Sequence, residues 1–374
     1  MPDETGGPSI RAMEVLRLLK RHHNVLISGP PGTGKSRLLN EVHRWFKASA
    51  QPGHDPGAPI PLPDGLVVTP EEAADWLPSP TRTNRQVFPT AFHPGSKYRD
   101  FLRGLIPKVG AGQTFLVSSG TLYSAAVVGL TDDGAALVIV DEINRGPAVQ
   151  VFGDSLVALE RDKRLGPAGE ELMTTQYLRI MQDNGTFASF ALPHHLYLLA
   201  AMNQADTSVE PLDVAFLRRF EPYHLEPDSL VVRDRCNLPD GDLATPDDPT
   251  TAAHVYAASL LAWEQVNRRI AIGRGPEYQI GHGVFFETDD TPPTGDVAAA
   301  IDHIAAPWRR IRAHVDEVFF GHTRGVAAAL NVGAPGHPLY LIDTYFAREP
   351  VAALSGEIQD LYRFLRAVAA ADAE

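Results

Sequence analysis

Apolar positions along this chain change period several times, and each change marks an element. Behind Ser9, a residue suited to cap a helix, Ile10, Met13, Leu16 and Leu19 recur every third position and predict a short opening helix. Val25-Leu26-Ile27-Ser28 is a compact run that predicts a buried strand. After a glycine-rich turn, Leu38, Leu39, Val42, Trp45 and Phe46 fall on one face of a second helix. Pro52, Pro56, Pro59, Pro61, Pro63, Pro70, Pro78 and Pro80 then forbid long regular elements. Residues 51–85 are therefore expected to be an irregular surface insertion, with a short helix around Glu71 to Trp76.

Gln86 to His93 predicts another strand, which Pro89 places at a sheet edge or stops early. Ala135 to Val140 is almost wholly apolar and ends at Asp141-Glu142, the pattern of a parallel strand covered on both faces. Val149, Phe152, Leu156 and Leu159 predict a helix behind it, and Leu196 to Met202 a further buried strand ending at Asn203. Beyond about Asp228 the strand-like runs stop, and Ala252 to Val266 and Val297 to Phe320 are helix-like. Short apolar strands alternating with helices predict an α/β fold with a three-layer parallel sheet over residues 1–228, and a helical second domain over 229–374. There is no internal repeat.

The length of 374 residues, with 44% apolar and 21% charged positions, suits one large α/β domain and a smaller one. Cys236 is the sole cysteine, which excludes an internal disulfide and a cysteine-based zinc site. No run of eighteen apolar residues and no secretory leader is present, so a soluble, cytoplasmic protein with no membrane attachment is expected. The formal net charge of −13 opposes general attraction to nucleic acid. Contact with DNA would be indirect, through a local basic patch, a pore loop or a partner. His22-His23, His194-His195 and the other histidines show no metal-ligand spacing.

The chemistry is concentrated at strand ends. Gly29-Pro30-Pro31-Gly32-Thr33-Gly34-Lys35-Ser36 fits the phosphate-binding pattern G-x-x-x-x-G-K-[ST], set between a predicted strand and a predicted helix. Glycines let the backbone curl around phosphates at the positive end of the helix. Lys35 is suited to the β- and γ-phosphates and the Ser36 hydroxyl to Mg²⁺. Asp141 is placed to share that Mg²⁺, and Glu142 to orient the attacking water; Asn203 ends a later strand and can assist with its amide. Arg218 and Arg219 are both candidates to neutralise charge on a neighbouring subunit's γ-phosphate.

Taken together these motifs resemble McrB-type AAA+ proteins, in the McrB/MoxR branch of P-loop nucleoside triphosphatases. Ala91-Phe92-His93-Pro94 and Tyr98-Arg99-Asp100-Phe101-Leu102-Arg103-Gly104 are similar to the opening of that group. Asp141-Glu142-Ile143-Asn144-Arg145 resembles its Walker B segment, Met202-Asn203-Gln204-Ala205-Asp206 its sensor 1, and Leu217-Arg218-Arg219-Phe220 its arginine region. Ile280-Gly281-His282 with Phe285, and Trp308 through Phe320, resemble its helical lid. The resemblance covers most of residues 23–322. It implies a ring, hexameric in expectation, with Mg²⁺ and ATP or GTP at each interface and Arg218 or Arg219 supplied in trans; Arg145 is a further candidate across an interface. It implies inserted hairpins or helices between Lys163 and Pro193. It also implies a restriction or anti-phage defence motor with an McrC-like nuclease partner, or alternatively a MoxR-like chaperone that remodels another protein. Two departures are evident. GTP-using members typically carry arginine where Thr207 stands, which leaves ATP and GTP both open. About twenty residues precede the first strand, so the amino-terminal DNA-reading module of many restriction members is not expected.

Overall fold

A computed structural model describes residues 7–47, 60–61, 67–107, 115–205, 212–286, 291–332, 337, 340–343, 351–354 and 361–370. Two compact units share the chain: Met1–Ser28 with Lys35–His224, and Gly29–Gly34 with Leu225–Glu374.

In the first unit, helix α1 (Ile10–His22) starts where the Ser9 hydroxyl accepts from the Ala12 amide at 3.2 Å. Its buried stripe is Ala12, Val15, Leu16 and Leu19, whereas Ile10 is 70% exposed. The expected face was set three residues apart; the real one follows the 3–1–3 spacing that keeps a stripe on one side of a 3.6-residue helix, and Ile10 falls outside it. Strand β1 (Asn24–Ser28) is buried throughout, and α2 (Lys35–Phe46) buries all five of its expected apolar residues.

Strands β2 (Asn84–Ala91), β3 (Gly134–Asp141), β4 (Leu196–Ala201) and β5 (Glu221–His224) join β1 in one sheet of order β5-β1-β4-β3-β2, parallel at every pairing. β2 lies at the edge and runs past Pro89 to Ala91, so of the two alternatives the edge position holds. Alternation sends Ala136, Val138, Val140, Leu198 and Ala200 to one face. They pack there with helix α3 (Thr121–Gly129) and an aromatic group in which the Phe101 and Phe152 rings are 4.7 Å apart and Phe152 and Phe216 5.3 Å apart. α2 contacts β3 and β4, and α1 contacts β1. This is the expected three-layer α/β arrangement.

The helix expected behind Glu142 is two short ones, α4 (Ala148–Phe152) and α5 (Ser155–Ala158). Gly153 between them has φ +49°, and the Ser155 hydroxyl donates to the Phe152 carbonyl at 2.6 Å in place of a continuing helical bond. Two antiparallel ribbons stand apart from the sheet. Leu178–Met181 pairs with Phe187–Phe190, within the Lys163–Pro193 span, and Arg103–Pro107 pairs with Phe115–Ser119, where no strand was expected. Within 51–85, Thr69 and Glu72 form a reciprocal cap on the helix Pro70–Trp76. Residues 51–59 and 62–66 of that insertion lie outside the described residues.

The first unit also contains α6 (Val214–Leu217), capped by Asp213. In the second unit, α7 (Ala252–Gly273), α8 (Val297–Val318) and α9 (Leu361–Ala369) enclose a core around Trp263, Trp308, Ile311 and Phe364. The buried Trp308 indole donates to Ser259 Oγ at 2.7 Å, so its polar edge is satisfied. This unit also holds two antiparallel strands, Tyr340–Asp343 and Val351–Leu354. Among the described residues, no helix is long and apolar enough to cross a membrane.

Candidate active site

The order of the sheet selects one end of it. Chain continuity carries β1 into the glycine-rich loop and α2, then to the far edge at β2, and back inward through β3 and β4 to the flank of β1. Such a switch in direction leaves a crevice at the carboxyl ends of the strands. Lys35 and Ser36 begin α2 there, Asp141 ends β3, and Asn203 follows β4.

Lys35 is only 8% exposed; burial pushes its ammonium down to about 8, against the pull of Glu142 and Asp141, which favour its charge. The Ser36 hydroxyl points to Asp141 Oδ2 at 3.4 Å, and Asp141 Oδ1 accepts from the Glu142 amide at 3.0 Å. Glu142 itself has φ +52° and ψ +46°, a left-handed backbone uncommon outside glycine. That conformation turns its carboxylate aside from the β3 axis, toward β4: Asn203 Nδ2 donates to Glu142 Oε1 at 2.8 Å. Arg145 Nε lies 3.2 Å from Oε2 in an ion pair without directed hydrogen-bond geometry.

Asn144 belongs to the same group. It is buried, and its amide donates to the Asn203 backbone carbonyl at 2.8 Å, tying the ends of β3 and β4 together. It was visible in the sequence only as one letter of the Asp141-to-Arg145 motif. Asn144 Oδ1, Asn203 Oδ1 and Glu142 Oε2 are shielded oxygens with no hydrogen-bond donor among the described residues. Ser36 and Asp141 supply two hard oxygen donors, the chemistry that Mg²⁺ takes when it shares its remaining positions with water and phosphate.

The loop Gly29–Gly34 packs as part of the second unit. Gly29, Gly32 and Gly34 have φ of +148°, +78° and +86°, and the Thr33 hydroxyl braces the turn by donating to the Pro30 carbonyl at 2.9 Å. A side chain at Gly29 would run into the Leu225 carbonyl.

The two arginines part company. Arg219 turns inward, with Nε donating to the Leu156 carbonyl at 3.1 Å, Nη1 to the Ala215 carbonyl, and Glu160 at 3.5 Å. Arg218 is exposed at the end of α6. Neither is joined to Asp141, Glu142 or Asn203 by a hydrogen bond or ion pair among the described residues. Asp206 and Thr207 lie outside the described residues.

Residues 77–220 match the AAA domain of the dynein-related subfamily. That span runs from before β2 to past α6, so the assignment of Gly29–Ser36 rests on its own motif and setting. Over 221 residues the chain is 26% identical to the Type IV methyl-directed restriction enzyme EcoKMcrB subunit of Escherichia coli K12, covering 59% of this chain and 39% of that protein. Over 227 residues it is 28% identical to the Type II restriction enzyme BsuMI component YdiS of Bacillus subtilis 168, covering 57% and 59%. The chain thus spans less than two thirds of either relative. The solved structure of NtrX from Brucella abortus covers 97% of this chain and 68% of its own at 10% identity, with a TM-score of 0.32, too low to carry an argument. The fold rests instead on the sheet order and the AAA match.

Proposed function

From the premise that residues 77–220 are an AAA domain of the dynein-related subfamily, in a chain that is McrB-like in sequence, we propose a Mg²⁺-dependent nucleoside triphosphatase that acts as a ring subunit. The observation that carries this reading is the Asn203–Glu142 bond of 2.8 Å at the ends of β4 and β3, beside the Ser36–Asp141 pair at the head of α2. Gly29 to Gly34 and Lys35 hold the phosphate tail of ATP or GTP. Ser36 and Asp141 hold Mg²⁺, which neutralises phosphate charge when bound. Glu142, steadied by Asn203, orients a water for in-line attack and takes its proton.

Arg218 is the better candidate for a neighbour's γ-phosphate. Its side chain is exposed, whereas Arg219 is committed to Leu156, Ala215 and Glu160 within its own subunit. A hexameric ring in the cytoplasm, with an McrC-like nuclease partner in restriction or anti-phage defence, is the assembly that the two restriction relatives support best. The net charge of −13 favours a second reading, a MoxR-like chaperone that remodels a protein without touching DNA. DNA that changes turnover in the presence of the nuclease selects the first reading; turnover that responds to a protein client and ignores DNA selects the second.

The deciding test is phosphate release from ATP and from GTP over a range of protein concentrations, for the wild type and Glu142→Gln. Specific activity that rises with concentration and is lost in the variant is expected. Activity independent of concentration would remove the interface, and activity surviving in Glu142→Gln would remove the assigned base.

A further inference from the structure

The Ile280-Gly281-His282 motif has no part in the chemistry above, yet it is held more firmly than a connecting turn requires. Asn267, buried on α7, grips Ile280 from both sides: its Oδ1 accepts from the Ile280 amide at 2.7 Å, and its Nδ2 donates to the Ile280 carbonyl at 2.9 Å. The Trp263 indole donates to the same carbonyl at 3.1 Å. An asparagine that meets both backbone groups of one residue, reinforced by a buried indole, fixes that residue's position and direction.

The next residues meet the phosphate-binding loop, within the same unit. The Gly281 amide donates to the Pro31 carbonyl at 3.0 Å and the Gly283 amide to the Gly32 carbonyl at 2.8 Å. Between them His282 accepts from the Asp228 amide at 3.2 Å, and a Cβ on Gly34 would stand 3.8 Å from its Nε2. Gly281 has φ −64°, open to any residue, so backbone freedom is not the reason for glycine there. Room is: a Cβ at 281 would overlap the backbone of Gly32 and the Pro31 carbonyl, and one at 283 would lie 2.8 Å from the Gly32 carbonyl.

We infer that residues 280–283 form a strut that presets the phosphate-binding loop, with Asn267 and Gly281 as positioning residues for nucleotide binding. Bonding the Pro31 and Gly32 carbonyls fixes a glycine-rich turn that would otherwise sample many conformations, so less order is lost when a phosphate tail arrives. The same bonds tie the loop to α7 through Ile280 and Asn267 within that unit. This inference rests on the proposed nucleotide site.

Its test is the affinity of the full chain for fluorescent ATP and GTP analogues with Mg²⁺, in the wild type, Gly281→Ala, Asn267→Ala and Gly295→Ala, the last a glycine with open space around it. Gly281→Ala is expected to weaken binding about ten-fold or more, the effect of losing one or two backbone bonds. Its melting temperature without nucleotide should stay within about 3 °C of the wild type, and Gly295→Ala should bind as the wild type does. A Gly281→Ala chain with wild-type affinity overturns the strut. Should Asn267→Ala fail to fold, hydrogen exchange on the wild type decides: the Gly281 and Gly283 amides should exchange slowly without nucleotide and more slowly with it, and exchange as fast as that of Gly295 overturns the strut. A wild type that binds neither analogue removes the nucleotide site itself, a different result from a site indifferent to residue 281.

Discussion

His23 is 1% exposed, both its ring nitrogens lack a hydrogen-bond partner among the described residues, and its ring stacks on Tyr197 at 5.1 Å. Burial, with Arg164 nearby, pushes it down to about 2, and His194 beside it is pushed down to about 4, again chiefly by burial. Both stay neutral in the fold at a pH where the unfolded chain takes up protons, so their stability contribution is whole above about pH 6.5 and is lost as pH falls below it. From His23 alone the loss should be about 2 kcal/mol at pH 5. Urea unfolding at pH 7.5 and pH 5 measures it, and His23→Asn, which removes the titrating ring and is among the residues most often found at positive φ, should flatten the slope. Asn144 makes a prediction of another kind. Since its amide holds the Asn203 carbonyl, Asn144→Ala should lower kcat about ten-fold or more while nucleotide affinity stays near the wild type, because the bond supports the proposed water-orienting pair and not the proposed phosphate site. Equal losses in affinity and kcat would refute that placement.

Elements are fastened at both ends of the sheet, and one fastening is a single side chain. Arg164 is fully buried: Nε donates to the Leu159 carbonyl at 3.0 Å, Nη1 to the Leu196 carbonyl, and Nη2 to Asn24 Oδ1 at 2.6 Å. It thus joins the start of β1, the start of β4 and the end of α5, away from the strand ends of the candidate site. Arg164→Met should cost about 3 kcal/mol or more, since the buried Leu196 carbonyl and Asn24 Oδ1 lose this donor and the Leu159 carbonyl keeps only Asn24 Nδ2, and should lower the melting temperature without changing KM. None of this was legible in the sequence, where Arg164 was one more charge in a polar stretch. Legibility followed burial and repetition. β1, β3 and β4 are covered on both faces, and their unbroken apolar runs announced them. β5 (Glu-Pro-Tyr-His) is half-exposed and four residues long, and Arg103–Pro107 and Phe115–Ser119 satisfy each other by local pairing; neither leaves a periodic trace. At the candidate site, the placement of Lys35, Asp141, Glu142 and Asn203 next to strand ends was readable because each follows an apolar run. The inward turn of Arg219 and the outward one of Arg218 depend on which carbonyls lie nearby, information that a pair of adjacent arginines does not carry.

At the scale of the whole molecule, the proposal that Arg218 acts across an interface allows a test that no single chain can pass. Arg218→Ala and Glu142→Gln should each be nearly inactive, yet an equal mixture should recover about a quarter of wild-type turnover, because one interface in four unites an intact Glu142 with an intact Arg218. A mixture no more active than its components would place Arg218 in its own subunit's site or outside catalysis. The phosphate-binding loop is drawn from one stretch of chain and framed by another: Pro31 and Gly32 rest on Gly281 and Gly283, about 250 residues later. At a synthesis rate of about 5–20 residues per second, tens of seconds separate the making of the loop from the making of its frame. A ribosome-bound chain therefore holds the complete phosphate-binding motif long before its backbone is set, and protection of the nascent protein by nucleotide should begin only once residue 283 has cleared the exit tunnel.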